Sequence, residues 1–361
     1  MGERSRRVGV IGTFVWDVIH GRDPLRAPVE EWGGITYSLA AFDAALPDGW
    51  EQVPLVKVGE DLAARARAYL RGLRRLAPDA QPIVVPYRNN RVELIYEDDA
   101  RRSEILTGGV PGWSWLGLAP LVRDLDALYV NLISGFELDL PTAQLLRQHF
   151  AGPMYCDLHS LVLAVQPGGL RSYRPLPEVE AWCRCFDFLQ VNEDELAMLA
   201  SDPMALAATA MGAGVQNLVV TLGPRGVVYF AAPGFERLAD LRAHISAPPD
   251  APPDAPPDAP PDAPPDAPPD APPDAPPDAR RSHATTIRSQ LVGARVAQGT
   301  VGTDPTGCGD VWGATYFSRL LAGDIMSEAM RVAVEAAARN VEHRGATGLA
   351  HYLRGELSPT T

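Results

Sequence analysis

The densest group of residues capable of chemistry lies near the C-terminus, where glycines and an aspartate precede an apolar segment. It reads Asp304-Pro305-Thr306-Gly307-Cys308-Gly309-Asp310. Glycines at the start of a helix leave backbone N–H groups open to an anion, and the helix N-terminus adds partial positive charge. A carboxylate there would repel a phosphate, but it could take a proton from a hydroxyl attacking that phosphate. The segment therefore predicts an anion-binding loop with Asp310 as general base.

An isolated Gly-x-Gly-Asp is better explained by an aspartate that caps a helix, so other segments have to decide. Asp17 follows the first apolar run, where a carboxylate typically faces the ligand crevice of an α/β sheet, with a turn cap as the alternative. Gly33 and Gly34 would let a ligand approach the backbone, or they form an ordinary turn. Asn192 and Glu195 would start a helix as a capping box, as water-mediated Mg²⁺ ligands, or as both.

A further pair of polar residues, Asp157 and His159, follows another strand candidate. At that position they could reach a phosphate, or they could form a structural hydrogen-bonded pair. The sequence leaves both interpretations open.

Composition limits the classes of protein that the chain can belong to. Its 361 residues are 46% hydrophobic and 21% charged, the balance of a globular protein. Without the eight aspartates of a tandem repeat, the formal charge of −13 becomes −5, which argues against a nucleic-acid binder. Lys57 is the single lysine, and no Gly-Lys-Ser/Thr of a Walker-type phosphate loop is present.

The four cysteines are too few for a disulfide scaffold and indicate a reducing compartment. Cys183 and Cys185 lack a second Cys or His pair at ligand spacing, so we interpret them as core thiols rather than metal ligands. No uncharged apolar stretch has the length needed to cross a bilayer. We therefore expect a cytoplasmic protein.

One segment is of low complexity: residues 247–278 are eight consecutive copies of Ala-Pro-Pro-Asp. Proline at half the positions prevents helix and sheet pairing, and the aspartates repel one another, so the segment is predicted to be a disordered, extended insertion. The favoured interpretation is a linker without chemistry, and the alternative is a ligand for a proline-recognising partner.

Elsewhere, short apolar runs alternate with helical segments, which predicts an α/β protein with a mainly parallel sheet. The strand candidates are 8–15, 53–58, 127–132, 153–157, 186–191, 218–222 and 227–231. The helix candidates are 37–45, 62–76, 142–149, 194–199, 203–213, 311–321 and 327–343. Residues 83–106 alternate apolar and polar side chains around Asn89 and Asn90, which is typical of a small projecting sheet.

Taken together and in order, these motifs resemble the ribokinase-like (PfkB) carbohydrate kinase family over essentially the whole chain apart from the repeat. The similar elements are 304–310, Gly12 to Asp17, Gly33-Gly34 with Ser38, Val58-Gly59-Glu60-Asp61, Asn192 to Glu195, and Thr221 to Gly226. The resemblance implies one ribokinase-like domain over residues 1–361, with a central, mainly parallel sheet flanked by helices. It also implies a small β-sheet lid from segments at about 19–36 and 86–107.

The resemblance assigns roles to individual positions. Asp310 would be the catalytic base, and the backbone of Gly307, Cys308 and Gly309 would bind the transferred phosphate. The remaining roles are substrate binding by Asp17, Gly33, Gly34 and Ser38, nucleotide binding by Asn192, Glu195, Thr221, Gly223 and Gly226, Mg²⁺ binding through water by Asn192 and Glu195, and K⁺ binding by Asp304 and Thr306. Pro305 in place of the usual threonine leaves the K⁺ site open.

The activity implied is ATP-dependent phosphotransfer to a hydroxymethyl group of a sugar or sugar-like molecule. Ser38 for asparagine and an unfamiliar lid sequence at 88–91 and 101–102 leave the substrate open, whereas Cys308 for alanine is a small change that should preserve activity. A homodimer through the lid edges also stays open. The alternatives are a nucleoside kinase, with Trp16 or Phe136 stacking on a base, and a catalytically silent sugar- or nucleotide-binding protein. A Rossmann dehydrogenase is excluded because the segment 9–12 lacks the third glycine of the dinucleotide fingerprint.

Overall fold

The computed structural model describes residues 4–20, 27–96, 102–245, 286–295 and 305–357. The Ala-Pro-Pro-Asp segment at 247–278 and Asp304 of the predicted K⁺ site lie outside these ranges. The expectations placed on them stay predictions.

The described residues form strands and helices in alternation. The strands are β1 (Arg6–Ile11), β2 (Phe14–His20), β3 (Val29–Gly34), β4 (Trp50–Leu55), β5 (Lys57–Gly59), β6 (Ile83–Val85), β7 (Arg91–Tyr96), β8 (Arg102–Thr107), β9 (Ala127–Asn131), β10 (Met154–Asp157), β11 (Leu163–Val165), β12 (Arg171–Tyr173), β13 (Phe188–Asn192), β14 (Asn217–Thr221), β15 (Val227–Ala231) and β16 (Arg288–Val292). The helices are α1 (Ile35–Ala45), α2 (Ala63–Arg71), α3 (Trp115–Leu118), α4 (Leu140–His149), α5 (Val179–Cys183), α6 (Glu193–Leu199), α7 (Pro203–Gly212), α8 (Leu238–Ile245), α9 (Cys308–Leu321), α10 (Met326–Val341) and α11 (Leu349–Leu353). Among these helices, none has the length and apolarity that a bilayer crossing requires.

The central sheet has the strand order β16-β15-β14-β13-β10-β9-β1-β4. The pairs from β4 to β14 are parallel, and β15 and β16 add antiparallel strands at one edge. Its inner strands are apolar at nearly every position, as expected for parallel strands covered by helices on both faces. The predicted α/β fold with a mainly parallel sheet is confirmed.

Each face of the central sheet has its own hydrophobic core, because successive side chains of a strand point to opposite faces. On one face, Tyr129, Tyr155 and Phe188 pack against Phe317 of α9. On the other face, apolar residues of the same three strands pack with residues from α4, α5 and α7, namely Leu128, Val130, Cys156, Leu189, Ala143, Leu146, Cys183, Leu206 and Ala210. The two cores hold the carboxyl ends of the strands in place.

The predicted strand at 8–15 is wrong, because the chain leaves the central sheet within it. β1 ends at Ile11 and β2 starts at Phe14 in a different sheet. Between them, the Thr13 hydroxyl donates to Oε1 of the buried Glu137 over 2.7 Å, which fixes the turn. The apolar run continues through the turn, so the pattern could not reveal the change of sheet. As a result Asp17 lies inside β2 rather than after a strand end.

The second sheet has the order β3-β2-β7-β8 and forms the lid. Its first strand begins at Phe14, earlier than the expected boundary at about residue 19. The β11–β12 hairpin lies against its β8 edge, where the backbone N–H of Leu106 donates to the carbonyl of Gly169 over 2.8 Å. The hairpin is thus a third segment of the lid that the sequence did not reveal.

Asn89 joins the lid to the large domain. Its side chain is fully buried; Oδ1 accepts from the backbone N–H of Gly59 and Nδ2 donates to the carbonyl of Phe14, both at 3.0 Å. Asp61, from the Val-Gly-x-Asp element, accepts from the backbone N–H of Asn89 over 2.8 Å. One side chain therefore fixes the start of β2 relative to the end of β5.

We predict that Asn89→Ala lowers the free energy of unfolding by about 2 to 4 kcal/mol, because two buried backbone groups lose their partner. The exposed neighbour Arg88 offers the control, since Arg88→Ala should change stability little. Denaturant unfolding of the three proteins measures the difference. Equal stability of both variants would contradict the assigned role of Asn89.

Candidate active site

A cleft of about 1000 Å³ lies where the lid faces the carboxyl edge of the central sheet. Its walls come from both sheets, from α1, and from the ends of α9 and α10. Of the predicted site residues, it brings together Asp17, Gly34, Asn192, Glu195, Thr221, Gly223, Gly226, Thr306, Gly307, Cys308, Gly309 and Asp310. Segments far apart in the sequence thus line one cleft.

The register of the parallel strands places polar side chains in a row at this edge. Asn131 pairs with Asp157, and Asp157 pairs with Gln190 on the next strand. Asn192, two residues further along β13, pairs with Thr221. Ligand sites of open α/β sheets lie outside the carboxyl ends of the strands, which is where these side chains end.

Helix α9 begins at this row, with Gly307 as its N-cap in the left-handed conformation at φ 77°. A Cβ on Gly307 would lie 2.2 Å from the ring of Tyr37, so the close packing here requires glycine. The first backbone N–H groups of a helix have no intrahelical acceptor. They are available to an anion at this end of the cleft.

Asp310 is the third residue of α9 rather than its cap, so the capping alternative does not explain it. It is 7% exposed, and Nδ2 of Asn131 donates to its Oδ1 over 2.5 Å. Burial raises the pKa of Asp310 to about 7, against the lowering effect of the Asn131 hydrogen bond. Sequence reasoning missed Asn131, although it is the polar last residue of a strand.

Asp157 is held beside Asp310 by a residue that sequence reasoning also missed. Nε2 of Gln190 donates to Asp157 over 2.8 Å and to the carbonyl of Gly309 over 3.0 Å, which links β13 to the start of α9. The backbone N–H of His159 donates to Asp157 over 3.2 Å. Burial, followed by the charges of Glu195 and Asp310, raises the pKa of Asp157 well above its ordinary value.

Asn192 and Glu195 form the capping box that the sequence allowed. The Glu195 carboxylate accepts from the Asn192 backbone over 2.8 Å, and Oδ1 of Asn192 accepts from the Glu195 backbone over 2.8 Å. Burial above all, and Asp310 among the nearby charges, raise the pKa of Glu195 to about 8. Within the described residues, no group of three or more His, Cys, Asp or Glu could hold a metal ion directly.

At the lid end, Asp17 lines the cleft from β2. A Cβ on Gly33 would lie 1.8 Å from Oδ2 of Asp17, so Gly33 leaves the space that this carboxylate occupies. Ser38 was expected to contact substrate but is fully buried and does not line the cleft. Its hydroxyl accepts from Nδ2 of Asn131 over 3.3 Å, because this face of α1 points into the core. The Ser38 hydroxyl therefore helps to hold the Asn131 amide in contact with Asp310.

Two charged residues at the lid end, Glu104 of β8 and Arg171 of β12, escaped sequence reasoning. Nη1 of Arg171 lies 3.6 Å from the Glu104 carboxylate, and Nη2 donates to the carbonyl of Ile133 over 3.2 Å. The Arg171 side chain is 5% exposed. Its position depends on how the hairpin docks on the lid, which leaves no local pattern in the sequence.

The opposite end of the cleft is mostly apolar. It is lined by Thr221, Gly223, Pro224, Gly226, Val227, Ala294, Arg295, Val334, Ala337, Ala338 and Val341, and Arg295 is paired with Glu335 of α10 over 2.8 Å. Asn340 of α10 steadies the neighbouring loop, donating to the carbonyl of Thr306 over 2.9 Å and to Sγ of Cys308 over 3.3 Å. Trp16 and Phe136, suggested to stack on a base, are not among the described residues that line the cleft; Trp16 packs against Trp32 and donates to Glu30.

Similarity to solved structures identifies the fold, whereas similarity of sequence does not. No family model and no curated protein matches the sequence. Among solved structures, a nucleoside kinase of Burkholderia thailandensis in complex with inosine is 15% identical with a TM-score of 0.64, covering 95% of this chain and 94% of its own. A pyrophosphate-dependent kinase in the ribokinase family, complexed with a pyrophosphate analog and myo-inositol, is 13% identical with a TM-score of 0.63, covering 94% and 96%.

An Arabidopsis thaliana ribokinase complexed with ribose and ATP is 15% identical with a TM-score of 0.59, covering 98% of this chain and 99% of its own. All three similarities extend over almost the whole of both chains. The protein therefore has the ribokinase-like fold, as the sequence predicted.

Burial of Asp310 has a consequence for stability. The folded state retains a proton on this carboxyl up to about pH 7, whereas the unfolded chain releases it near its ordinary pKa. The folded state thus binds more protons between about pH 4 and 7, so its stability falls as the pH rises through that window. We predict that Asp310→Asn, which cannot ionise, is more stable than the wild type at pH 8 by on the order of 2 kcal/mol.

The same comparison at pH 5 should show a much smaller difference, because wild-type Asp310 is then mostly protonated. Denaturant unfolding at the two pH values measures it. A variant that is less stable at both values would contradict the burial argument.

Proposed function

We propose that this protein is a kinase that transfers the γ-phosphoryl group of ATP to a hydroxymethyl group of a sugar or sugar-like molecule. The observation that carries the proposal is Asp310. It is a buried carboxylate in the first turn of α9, held by Asn131, and it shares a cleft with the acceptor-side carboxylate Asp17. The ribokinase-like fold supports the same conclusion.

In this proposal, Asp17 accepts a hydrogen bond from the acceptor and orients it towards the γ-phosphorus. Asp310 accepts the proton of the attacking hydroxyl as the new oxygen–phosphorus bond forms and the bond to the bridging oxygen of ADP breaks. The N–H groups of residues 307–310 stabilise the charge that develops on the phosphoryl oxygens. A pKa of about 7 suits a base that must accept a proton near neutral pH.

Mg²⁺, when bound, would neutralise charge on the phosphates. The chain fits such an ion, since Asp157, Glu195 and Asp310 are all buried, and the charge of Asp310 raises the pKa of both Asp157 and Glu195. Both Glu195 oxygens already accept from Asn192, which agrees with contact through water rather than directly. We retain K⁺ only as a hypothesis for the loop around Thr306.

The choice of ATP over pyrophosphate rests on the apolar end of the cleft. Val227, Val334, Ala338 and Val341 provide a surface on which a purine base can pack, and a pyrophosphate would leave it uncovered. A structural neighbour was solved with ribose and ATP, and another with a pyrophosphate analog. Comparing turnover with the two donors decides between them, and faster turnover with pyrophosphate would overturn this choice.

The sugar-like acceptors of this proposal include nucleosides, and one neighbour is a nucleoside kinase in complex with inosine. A silent binding protein is less well supported, because binding alone gives no reason to place an ionisable carboxylate at this helix start. We place the enzyme in the cytoplasm on the sequence argument from its four cysteines.

We predict that Asp310→Asn lowers kcat by about 10²- to 10⁴-fold, because the attacking hydroxyl loses its proton acceptor. Its Kd for a non-hydrolysable ATP analogue should stay within a few-fold of the wild type. The matched control is Asp124→Asn, a carboxylate whose side chain is 79% exposed, which should keep full activity. A coupled assay of ADP release over sugars and nucleosides measures kcat.

Near-normal turnover of Asp310→Asn would contradict the assignment of the base. Stabilisation of the protein by acceptors without ADP release in either protein would instead favour the silent binding protein.

The pH dependence should follow the ionisation of Asp310. Because the base must be ionised, kcat/KM is expected to fall about tenfold per pH unit below about pH 7. Asn131→Leu removes the hydrogen bond that lowers the pKa of Asp310, so the acidic limb of the kcat/KM profile should move to higher pH. A flat profile between pH 5.5 and 8, or an unmoved limb in the variant, would count against the proposal.

A further inference from the structure

The inner face of the lid sheet is apolar between two carboxylates. In β2, Asp17 lines the cleft; in β7, Val92 and Leu94 line it; in β8, Glu104 lines it. Asp17 pairs with Val92, and Leu94 pairs with Glu104. Strand spacings place Asp17 and Glu104 roughly 12 Å apart across the face.

The apolar part of this face continues into the large domain. Val15 of β2 and Ile133, which follows β9, line the same end of the cleft. With Val92, Leu94 and Leu106 they form a hydrophobic cluster separate from the two main cores. The acceptor end is thus lined by aliphatic side chains that are 2–6% exposed and contact the cleft through their outermost atoms, and its ionic groups lie at the margins.

The charge of this end disfavours an anionic acceptor. Among the residues that the structure describes, the ionic side chains at this end are Asp17, Glu104 and Arg171, and Arg171 lies 3.6 Å from Glu104. One cation faces two carboxylates, and Asp310 adds a third carboxylate nearby. A phosphate or carboxylate on the acceptor would therefore meet net negative charge. An uncharged acceptor fits better.

The distribution of polar groups disfavours a bare sugar. A free pentose or hexose carries a hydroxyl on nearly every carbon, and each hydroxyl buried without a partner is costly. Four aliphatic side chains can satisfy none of them. A flat heterocycle, in contrast, can pack its face on Val92 and Leu94 while its edge reaches the margin.

That margin presents an acceptor beside a donor. The Glu104 carboxylate accepts hydrogen bonds and the Arg171 guanidinium donates them. Ring nitrogens, N–H groups and carbonyls along the edge of a heterocycle offer the complementary pair. The spacing from Asp17 to Glu104 leaves room for a sugar-sized group between the hydroxymethyl end and the heterocycle.

On the premise that the chain is the kinase proposed above, we infer that its acceptor is an uncharged alcohol with a flat heterocycle, of the size of a nucleoside, and not a free sugar or sugar phosphate. The heterocycle packs on Val92 and Leu94, and its polar edge meets Glu104 and Arg171.

Matched acceptors test the inference. Adenosine, inosine, uridine and cytidine are compared with ribose, which lacks only the base, and with ribose 1-phosphate, which keeps the hydroxymethyl group and carries charge in place of the base. Burying ~100 Å² of ring surface corresponds to a kcat/KM about 50-fold higher for at least one nucleoside than for ribose. Ribose 1-phosphate should be the poorest acceptor. Ribose or its phosphate as the best acceptor would overturn the inference.

Two glutamates on opposite faces of the lid sheet provide a matched pair of variants. Glu104→Gln should raise KM for the best nucleoside by about tenfold, the loss of one hydrogen bond to a charged group, with little change in kcat. Glu93→Gln is the control, since Glu93 is not among the residues that line the cleft. Equal KM values for both variants would contradict the role of Glu104.

Binding separates failure of the inference from failure of the proposed function. In Asp310→Asn, which should bind acceptors without turnover, the best nucleoside should raise the Tm and ribose should not. Phosphorylation of ribose in preference to every nucleoside would support the proposed kinase activity and contradict the inferred heterocyclic acceptor. If no acceptor is phosphorylated but nucleosides raise the Tm, the kinase activity is contradicted and the nucleoside-binding site is supported.

Discussion

The site depends on one juxtaposition: the carboxyl ends of β9, β10 and β13 meet the amino end of α9. Asn131 and Gln190 join them, the first through Asp310 and the second through the carbonyl of Gly309. This arrangement buries Asp157, Glu195 and Asp310 close together, which raises the pKa of each. The fold thus maintains an electrostatically costly cluster, and groups with shifted pKa values are concentrated at functional sites.

The lid completes the site by a different principle. Its inner face carries an apolar cluster of its own, and Asn89 ties the start of its first strand to the large domain. The hairpin that carries Arg171 closes the far side. In the proposed kinase, such a lid would exclude water from the phosphoryl group that is transferred, and its side chains would select the acceptor alcohol.

The sequence predicted what is local and missed what depends on tertiary packing. Asp310 and the Asn192–Glu195 box stood out because a turn and a helix start place their functional groups within a few residues. Asn131 and Arg171 did not, because their partners are set by strand register and hairpin docking. The predicted strand at 8–15 was wrong for the same reason, since the change of sheet does not interrupt the apolar run.

The most direct test of the account is ³¹P NMR of the protein with Mg·ATP and a mixture of nucleosides and sugars. We predict that ADP appears together with a phosphate monoester whose phosphorus couples to two protons, as a phosphorylated hydroxymethyl group requires. Formation of ADP with inorganic phosphate alone would contradict the central claim, since the cleft would then activate water rather than an alcohol.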